Sequence, residues 1–375
     1  MVYLAPDPPL TLADLIALRQ HRPSPTDVLS AGGVLGSRDR FFASGRAALL
    51  AGLQALGIGP GDEVLLPSYL CESVVTPVEA VGARPAFYPV GKRLDVDVAD
   101  LHLAISPATR AVVLIHYLGF PGPLQEVWEL CHRLGIALIE DCAHALYSRN
   151  GEVPLGSVGD LAIYSPWKSL PLPDGGLLRL NREGLTVAAP ETQPAPRETA
   201  SRLAYRALGT VEQLVGWSPR LMLLQRQSLR RQMHDRVSAG PAEMLAGSEV
   251  SWRLLLAAHA EEVVEKRRRN YARLLDACRE LAWAIPVFDS LPTGVCPLGL
   301  PLVAENRDHW RDVLLRRGVN VRTYWEQLPP LVNLQQFPDA AWLRDRILVL
   351  PVHQGLPSAG VEWLARLLPT LDTRT

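Results

Sequence analysis

Two neighbouring stretches decide the fold: Ala137–Ala145, ALIEDCAHA, and Gly159–Gly176, GDLAIYSPWKSLPLPDGG. In the first, an apolar run ends in Glu140 and Asp141, and His144 follows three residues after the second acid. In the second, another apolar run delivers Ser165 and Lys168, then a double glycine. Short continuous apolar runs read as strands buried on both faces, the mark of a largely parallel sheet wrapped by helices. In open sheets of that class ligands lie beyond the carboxyl ends of the strands, which is where Asp141, His144, Ser165 and Lys168 stand.

Outward from this centre, Val64–Leu66, Pro85–Pro89, Ala111–His116, Ile136–Glu140, Leu161–Ser165 and Gly176–Leu180 read as strands. Ala47–Leu56 and Pro123–Leu134 read as helices closed by Gly57 and Gly135, glycine being the residue that best tolerates a left-handed cap. The α/β core therefore runs from about Phe41 to Leu180. A connector with three prolines follows at 182–197. Ser201–Val237, rich in Leu and Arg, reads as one or two helices packed by their leucines. Its basic face, with Arg226, Arg230, Arg231 and Arg236, is either solvated or set against a membrane or an anion. Val250–Leu281 reads as one long helix carrying Arg267, Arg268 and Arg269 into a smaller mixed lobe. There Pro301–Ala304, Asn320–Arg322 and Ile347–Val352 read as strands, and Asp308–Arg317 and Gly360–Leu368 as helices. The expected division is a large α/β domain over 1–245, including the N-terminal segment and a helical insert at about 200–240, and a small α+β domain over 246–375.

Composition narrows the partners. Lys and Arg number 38 against 39 acidic residues, so no global field draws the chain to nucleic acid. Cys71, Cys131, Cys142, Cys278 and Cys296 form an odd, scattered set without CxxC spacing, which argues against a disulfide framework and a zinc site and for a reducing, cytoplasmic setting. No metal is expected. Met1–Leu18 lacks the basic-then-apolar order of a signal peptide, and no stretch is long and apolar enough to span a bilayer.

Three elements carry chemistry. Phe41–Leu50, FFASGRAALL, opens a helix through a glycine-containing turn; exposed backbone N–H groups at such a start make a site for a phosphate, and Gly45 allows the close approach, although many helices begin after Ser-Gly without binding anything. Asp141 and His144 are either ligand-facing or a helix cap and a packed neighbour. Lys168, set among Tyr164, Pro166, Trp167 and Leu170, is partly desolvated, which favours the free amine and makes it a nucleophile toward an aldehyde; the alternative is an ordinary solvated lysine. A phosphate cradle, then an Asp, then a Lys, in that order through one sheet, matches the needs of pyridoxal 5'-phosphate (PLP).

The run SGRAAL, GIGPGDEVLLPS, AVGARPAFYPV, TRAVVLIHYLGFP, IEDCAHA, GSVGDLAIYS and WKSLPLPDGG resembles the DegT/DnrJ/StrS family of PLP-dependent sugar aminotransferases, of fold type I. The likeness is strong over residues 40–180 and weaker through RRRNYARLL, GVNVRTYW and LVLPVH. It implies that Lys168 holds PLP as a Schiff base and later moves a proton, that Asp141 pairs with the ring nitrogen, and that His144 lies by the ring. It also implies that Gly45, Arg46 and Ser165 hold the phosphate. Ser165 stands three residues before Lys168 where the family has five. Cys71 stands where the family places a ring-stacking aromatic, with Tyr69 as the substitute, and PDGG replaces GEGG, leaving Asp174 without a role. His116 faces the substrate in the family, or is a hydrogen-bonded core histidine; Arg322, Trp325 and His353 are further pocket candidates. The resemblance also implies a homodimer, glutamate as amino donor and a nucleotide-linked keto-sugar as acceptor. The alternatives are a PLP-dependent sugar dehydratase, disfavoured by Lys168 because related dehydratases carry histidine there, and a non-catalytic binding or regulatory protein of the same fold.

Overall fold

The computed structural model describes residues 3–20, 38–187, 190, 196–215 and 243–371. Its centre is a seven-stranded sheet of β1 (Asp39–Phe42), β2 (Glu63–Pro67), β3 (Arg84–Tyr88), β4 (Thr109–Ile115), β5 (Ala137–Asp141), β8 (Leu161–Tyr164) and β9 (Gly176–Leu180), in the order β1-β9-β8-β5-β4-β2-β3. The pairs β3–β2, β2–β4, β4–β5 and β5–β8 are parallel, while β9 runs antiparallel to both its neighbours. The α/β reading, with a mostly parallel sheet flanked by helices, is what the chain adopts. β5 is buried along its whole length, as a central strand covered on both faces must be. Register then does the positioning: Ile115 stands opposite Asp141 and Asp141 opposite Ile163, so β4, β5 and β8 deliver their following residues at one edge.

The helix Gly45–Ala55 packs across β8 and β9. Its entry depends on Gly176, where a Cβ would lie 1.9 Å from the Ser44 carbonyl oxygen. No side chain fits there without displacing the turn that opens the helix. The helix Leu124–Leu134 ends as expected at Gly135, whose φ of 67° is left-handed.

The strongest polar fixture of the large lobe is Glu140. Its buried carboxylate accepts the N–H groups of Gly156 (2.7 Å), Val158 (2.8 Å) and Gly159 (2.7 Å) and lies 3.1 Å from His116 Nε2. Burial pushes the Glu140 carboxyl up, but the His116 contact and these amides outweigh it and hold the group below the usual range. The link from β5 to β8, which includes the short hairpin β6 (Arg149–Asn150) and β7 (Val153–Pro154), is thus tied to β5.

A second sheet, antiparallel, contains β10 (Ala284–Pro286), β11 (Gly299–Ala304) and β12 (Ile347–Pro351). Its core includes Leu300, Leu302, Trp310, Leu314, Leu348, Leu350 and Leu364, and Leu4 of the N-terminal segment joins it. Asn320–Arg322, expected as a strand, makes only isolated bridges. Arg322 pairs with Val349, while the neighbouring backbone is taken by Leu4, whose N–H donates to the Gly318 oxygen and whose oxygen accepts from Asn320. The expected single helix over Val250–Leu281 is two, Glu249–Leu256 and Ala260–Cys278. Leu254 and Leu255 pack into the large core, whereas Tyr271, Leu274 and Leu275 pack into the small one, so the chain must turn between them. The basic run with Arg226, Arg230, Arg231 and Arg236 lies outside the described residues; the helix Pro196–Val215 precedes it. Among the described residues no helix is long and apolar enough to cross a membrane, and all five cysteines are free.

Glu140→Ala leaves three buried amides and His116 without their acceptor, so urea unfolding is expected to show a loss of about 3–5 kcal/mol. Because the folded-state pKa is depressed, this contribution is full above the ordinary carboxylate pKa of about 4.3 and is lost as pH falls through the lowered folded value. The stability gap between wild type and Glu140→Ala should therefore narrow on acidification; a gap that widens as the pH falls contradicts the assignment.

Candidate active site

The edge where β4, β5 and β8 end opens on a cavity with about 670 Å³ of empty space. Ser44, Gly45 and Arg46 line it from the start of a helix, Cys71 and Ser73 from the start of another (Glu72–Ala80), Asp141 and His144 from the end of β5, and Ser165, Trp167 and Lys168 from the turn after β8.

That last turn explains a spacing the sequence left open. Pro166–Lys168 is a single 3₁₀ turn, with the Lys168 N–H donating to the Ser165 oxygen at 3.0 Å and the Ser169 N–H to the Pro166 oxygen at 2.9 Å. Proline at its first position has φ pre-set for the turn. With three residues per turn, positions i and i+3 eclipse, so Ser165 and Lys168 reach the same cavity from the shortened loop.

Opposite Ser165 stands the helix start. The Ser44 hydroxyl caps it, accepting the Ala47 N–H at 3.2 Å, and a helix's first N–H groups have no partner within the helix. A Cβ on Gly45 would lie 2.4 Å from Ser165 Oγ, so glycine there keeps a hydroxyl and the helix N-terminus in close approach. Hydroxyl, backbone donors and dipole together suit an anionic oxygen cluster.

Electrostatics at the other end of the cavity favour neutral forms. Burial lowers the Lys168 pKa, and the attraction of Asp141 and Cys71 opposes this without cancelling it. Burial raises that of Asp141, against the pull of Lys168 and the N–H of Ala143, which donates to Asp141 Oδ1 at 2.9 Å. His144 is 3 % exposed, and burial, aided by Lys168, keeps it neutral. Its Nδ1 has no hydrogen-bond partner among the described residues. A carboxylate short of positive charge, an unpartnered imidazole nitrogen, an amine nucleophile and an anion cradle along one cavity fit PLP: ring nitrogen, ring hydroxyl, aldehyde and phosphate each meet a group of the right chemistry.

Of the expected residues, Gly45, Arg46, Cys71, Asp141, His144, Ser165, Lys168 and Trp325 come together. Tyr69 lies behind this wall: it is fully buried, its hydroxyl donates to the Tyr324 oxygen, and its ring packs edge-on to Trp325 at 4.8 Å. His116 is the hydrogen-bonded core histidine, fully buried against Glu140 and absent from the cavity wall. Arg322 and His353 line a second, smaller cavity that also touches Lys168. Cys71 caps its helix, its Sγ accepting from the Ser73 N–H at 3.4 Å. Asp174 is buried and accepts the Ser248 N–H at 3.0 Å, tying the glycine turn to the helix Glu249–Leu256. Ser44, Ser73 and Trp167 were not singled out in the sequence. The SxxK spacing on a proline-led turn was the available signal for Trp167; for Ser73 there was none.

The sequence matches the DegT/DnrJ/EryC1/StrS aminotransferase family over residues 41–234. It is 31 % identical over 339 residues to the dTDP-4-dehydro-2,3,6-trideoxy-D-glucose 4-aminotransferase of Saccharopolyspora spinosa, covering 87 % of this chain and 82 % of that one. It is 37 % identical over 140 residues to the UDP-N-acetyl-3-dehydro-alpha-D-glucosamine 3-aminotransferase of Acidithiobacillus ferrooxidans, covering 36 % and 38 %. The fold is that of a Streptococcus pneumoniae protein assigned as a sugar aminotransferase and solved in its PLP form, with a TM-score of 0.73 at 16 % identity and 98 % of each chain covered. The architecture is fold type I of the aminotransferases. The chain is an aminotransferase and belongs to the DegT/DnrJ/EryC1/StrS family.

Proposed function

We propose that this chain uses PLP to move an amino group from an amino acid such as glutamate to a keto-sugar, a reading carried by one observation: Lys168, Asp141, His144, Ser165 and Gly45 share a single cavity. PLP, when bound, supplies an electron sink through its protonated ring. The Asp141 carboxylate would hold the ring nitrogen's proton, and His144 Nδ1 would accept from the ring hydroxyl. The N–H groups of Gly45 and Arg46 and the Ser165 hydroxyl would hold the phosphate. Lys168 Nζ, kept toward the free-base form by burial, serves first as nucleophile and then as the base that moves a proton to and from the carbon bearing the nitrogen. Low solvent access around Asp141 and His144 strengthens each of these contacts.

The acceptors named for the two relatives, one dTDP-linked and one UDP-linked, support a nucleotide-linked keto-sugar as the acceptor class. We also propose that the chain works as a homodimer in the cytoplasm. The free cysteines support a reducing setting, and an exposed apolar stripe of Leu12, Leu15 and Ile16 supports self-association. We further propose a small domain beginning near residue 246, supported by a core of its own that gathers Leu274, Leu302, Leu314 and Leu350, while Leu254 and Leu255 pack back onto the large core.

Lys168→Ala is expected to abolish the visible absorbance that PLP gives the wild-type protein and to slow glutamate-driven amino transfer by at least about 10²-fold. Normal turnover in that variant would refute the assignment. Gly45→Ala places a methyl group against the Ser165 hydroxyl, so PLP affinity should fall about tenfold, and adding Ser165→Ala should recover part of the loss by removing the collision. Fluorescence titration with PLP measures both, and additive losses in the double variant would contradict this geometry.

A further inference from the structure

The wall of the main cavity holds a group that the proposed reaction does not use. Cys71 is the one cysteine of the five that is not buried, and it lines the same cavity as Lys168, Ser165 and the helix start at Gly45. The other four are shut away. Burial pushes the thiols of Cys131 and Cys278 up to about 12 and that of Cys296 up to about 11, and it raises Cys142 as well. A thiol attacks as its thiolate, so those four are inert near neutral pH.

The surroundings of Cys71 are those of a sulfur nucleophile. It is the N-cap of the nine-residue helix Glu72–Ala80, where its Sγ accepts the Ser73 N–H at 3.4 Å and lies 2.9 Å from Ser73 Oγ. Burial lowers the pKa of Arg46 and of Lys168, and in both the charge of the Cys71 sulfur opposes this, so the sulfur lies within electrostatic reach of two basic side chains. Helix starts and neighbouring cations are where reactive cysteines sit. Independently of the thiol, the cavity is built to hold a polar ligand. His144, 3 % exposed, lines it with Nδ1 lacking a partner among the described residues, and the start of the helix Gly45–Ala55 and the Ser165 hydroxyl face each other across it as donors to an anion.

We infer that Cys71 is a modification site: the cofactor-free chain takes up a small anionic disulfide there as a mixed disulfide, and this adduct and PLP exclude each other. The exclusion rests on the PLP reading above; the reaction of the thiol does not. The Cys71 thiolate attacks one sulfur of the disulfide, the new S–S bond forms as the old one breaks, and the second half leaves as a thiolate, the proton of Cys71 having gone to solvent. The disulfide is the only oxidant needed. An anionic half is preferred because the donors that suit a phosphate also suit a carboxylate, and Asp141, the single acid on the wall, is pushed toward neutrality by burial. Once attached, that half occupies space in the cavity that PLP requires, and a reducing thiol clears it by the reverse exchange. Cofactor loading thereby becomes sensitive to the redox state of the surroundings, while the loaded chain is shielded.

Treating the full-length protein, with and without PLP, with dithiobis(nitrobenzoate), an aromatic disulfide carrying a carboxylate on each half, tests this through release of the coloured thiolate. The PLP-free protein should show a single fast equivalent per chain, located at Cys71 by peptide mass spectrometry, and PLP should slow it at least about tenfold. Labelled protein freed of reagent should not gain the visible absorbance of bound PLP until dithiothreitol removes the label. Cys71→Ser keeps a helix-capping hydroxyl and should lose the fast phase; whatever PLP absorbance it shows before treatment it should still show afterwards. At matched ionic strength, inorganic phosphate should slow dithiobis(nitrobenzoate) several-fold and uncharged dithiodipyridine far less. Absence of a fast phase, a label on another cysteine, a fast phase indifferent to PLP, PLP uptake by labelled protein, or equal effects of phosphate on the two reagents overturns the inference. Unlabelled protein that takes up no PLP although Cys71 reacts overturns the PLP reading instead.

Discussion

The site rests on how the carboxylate of Glu140 is satisfied. A buried acid is tolerated only when its charge is met by donors, and here three backbone amides from one short loop and an imidazole converge on it. Because Glu140 is the penultimate residue of β5, this fixes the path of the chain between β5 and β8, and with it the separation of Asp141 from Lys168. The pair ED at a strand end thus splits into two tasks. One acid faces back into the protein and organises it; the next faces the cavity and is left for chemistry.

Burial works on the cavity side in the opposite sense. Asp141 and Lys168 are each pushed toward neutrality, and neither gains enough from the other to reverse this. Such a pair is costly for folding alone, and the cost makes sense where a ligand supplies the missing partners. His144, neutral and one bond short, belongs to the same arrangement.

Much of this was legible in the sequence. The parallel strands announced themselves as unbroken apolar runs, and their common edge followed from the residues that ended them. The order SGR, then EDCAH, then SPWK was enough to assemble the main cavity. What could not be read depended on contacts between distant segments. Arg267 sits in a run of three arginines, yet it is fully buried, with four carbonyl-type oxygens from three separate segments around it. Asp7, in the N-terminal segment, pairs with Arg322 of the small lobe, a contact that no local pattern announces. The helix Glu72–Ala80 was hidden by Pro77 inside it, and β10 by its length of three residues. The extra strand expected at Asn320–Arg322 failed because its backbone partners were divided between the N-terminal segment and β12.

Trp325 has a wider consequence. Its φ of 53° is one that a bulky residue adopts only when its surroundings enforce it, and its ring is packed among those of Tyr69, Tyr117, His144 and Tyr324. An indole from the C-terminal half is therefore wedged into a wall built by the N-terminal half. The two halves cannot be treated as modules to be exchanged between relatives at a single crossover point: a chimera that brings in a different residue 325 inherits an altered wall, and one that keeps it must also keep the rings that hold its backbone in place.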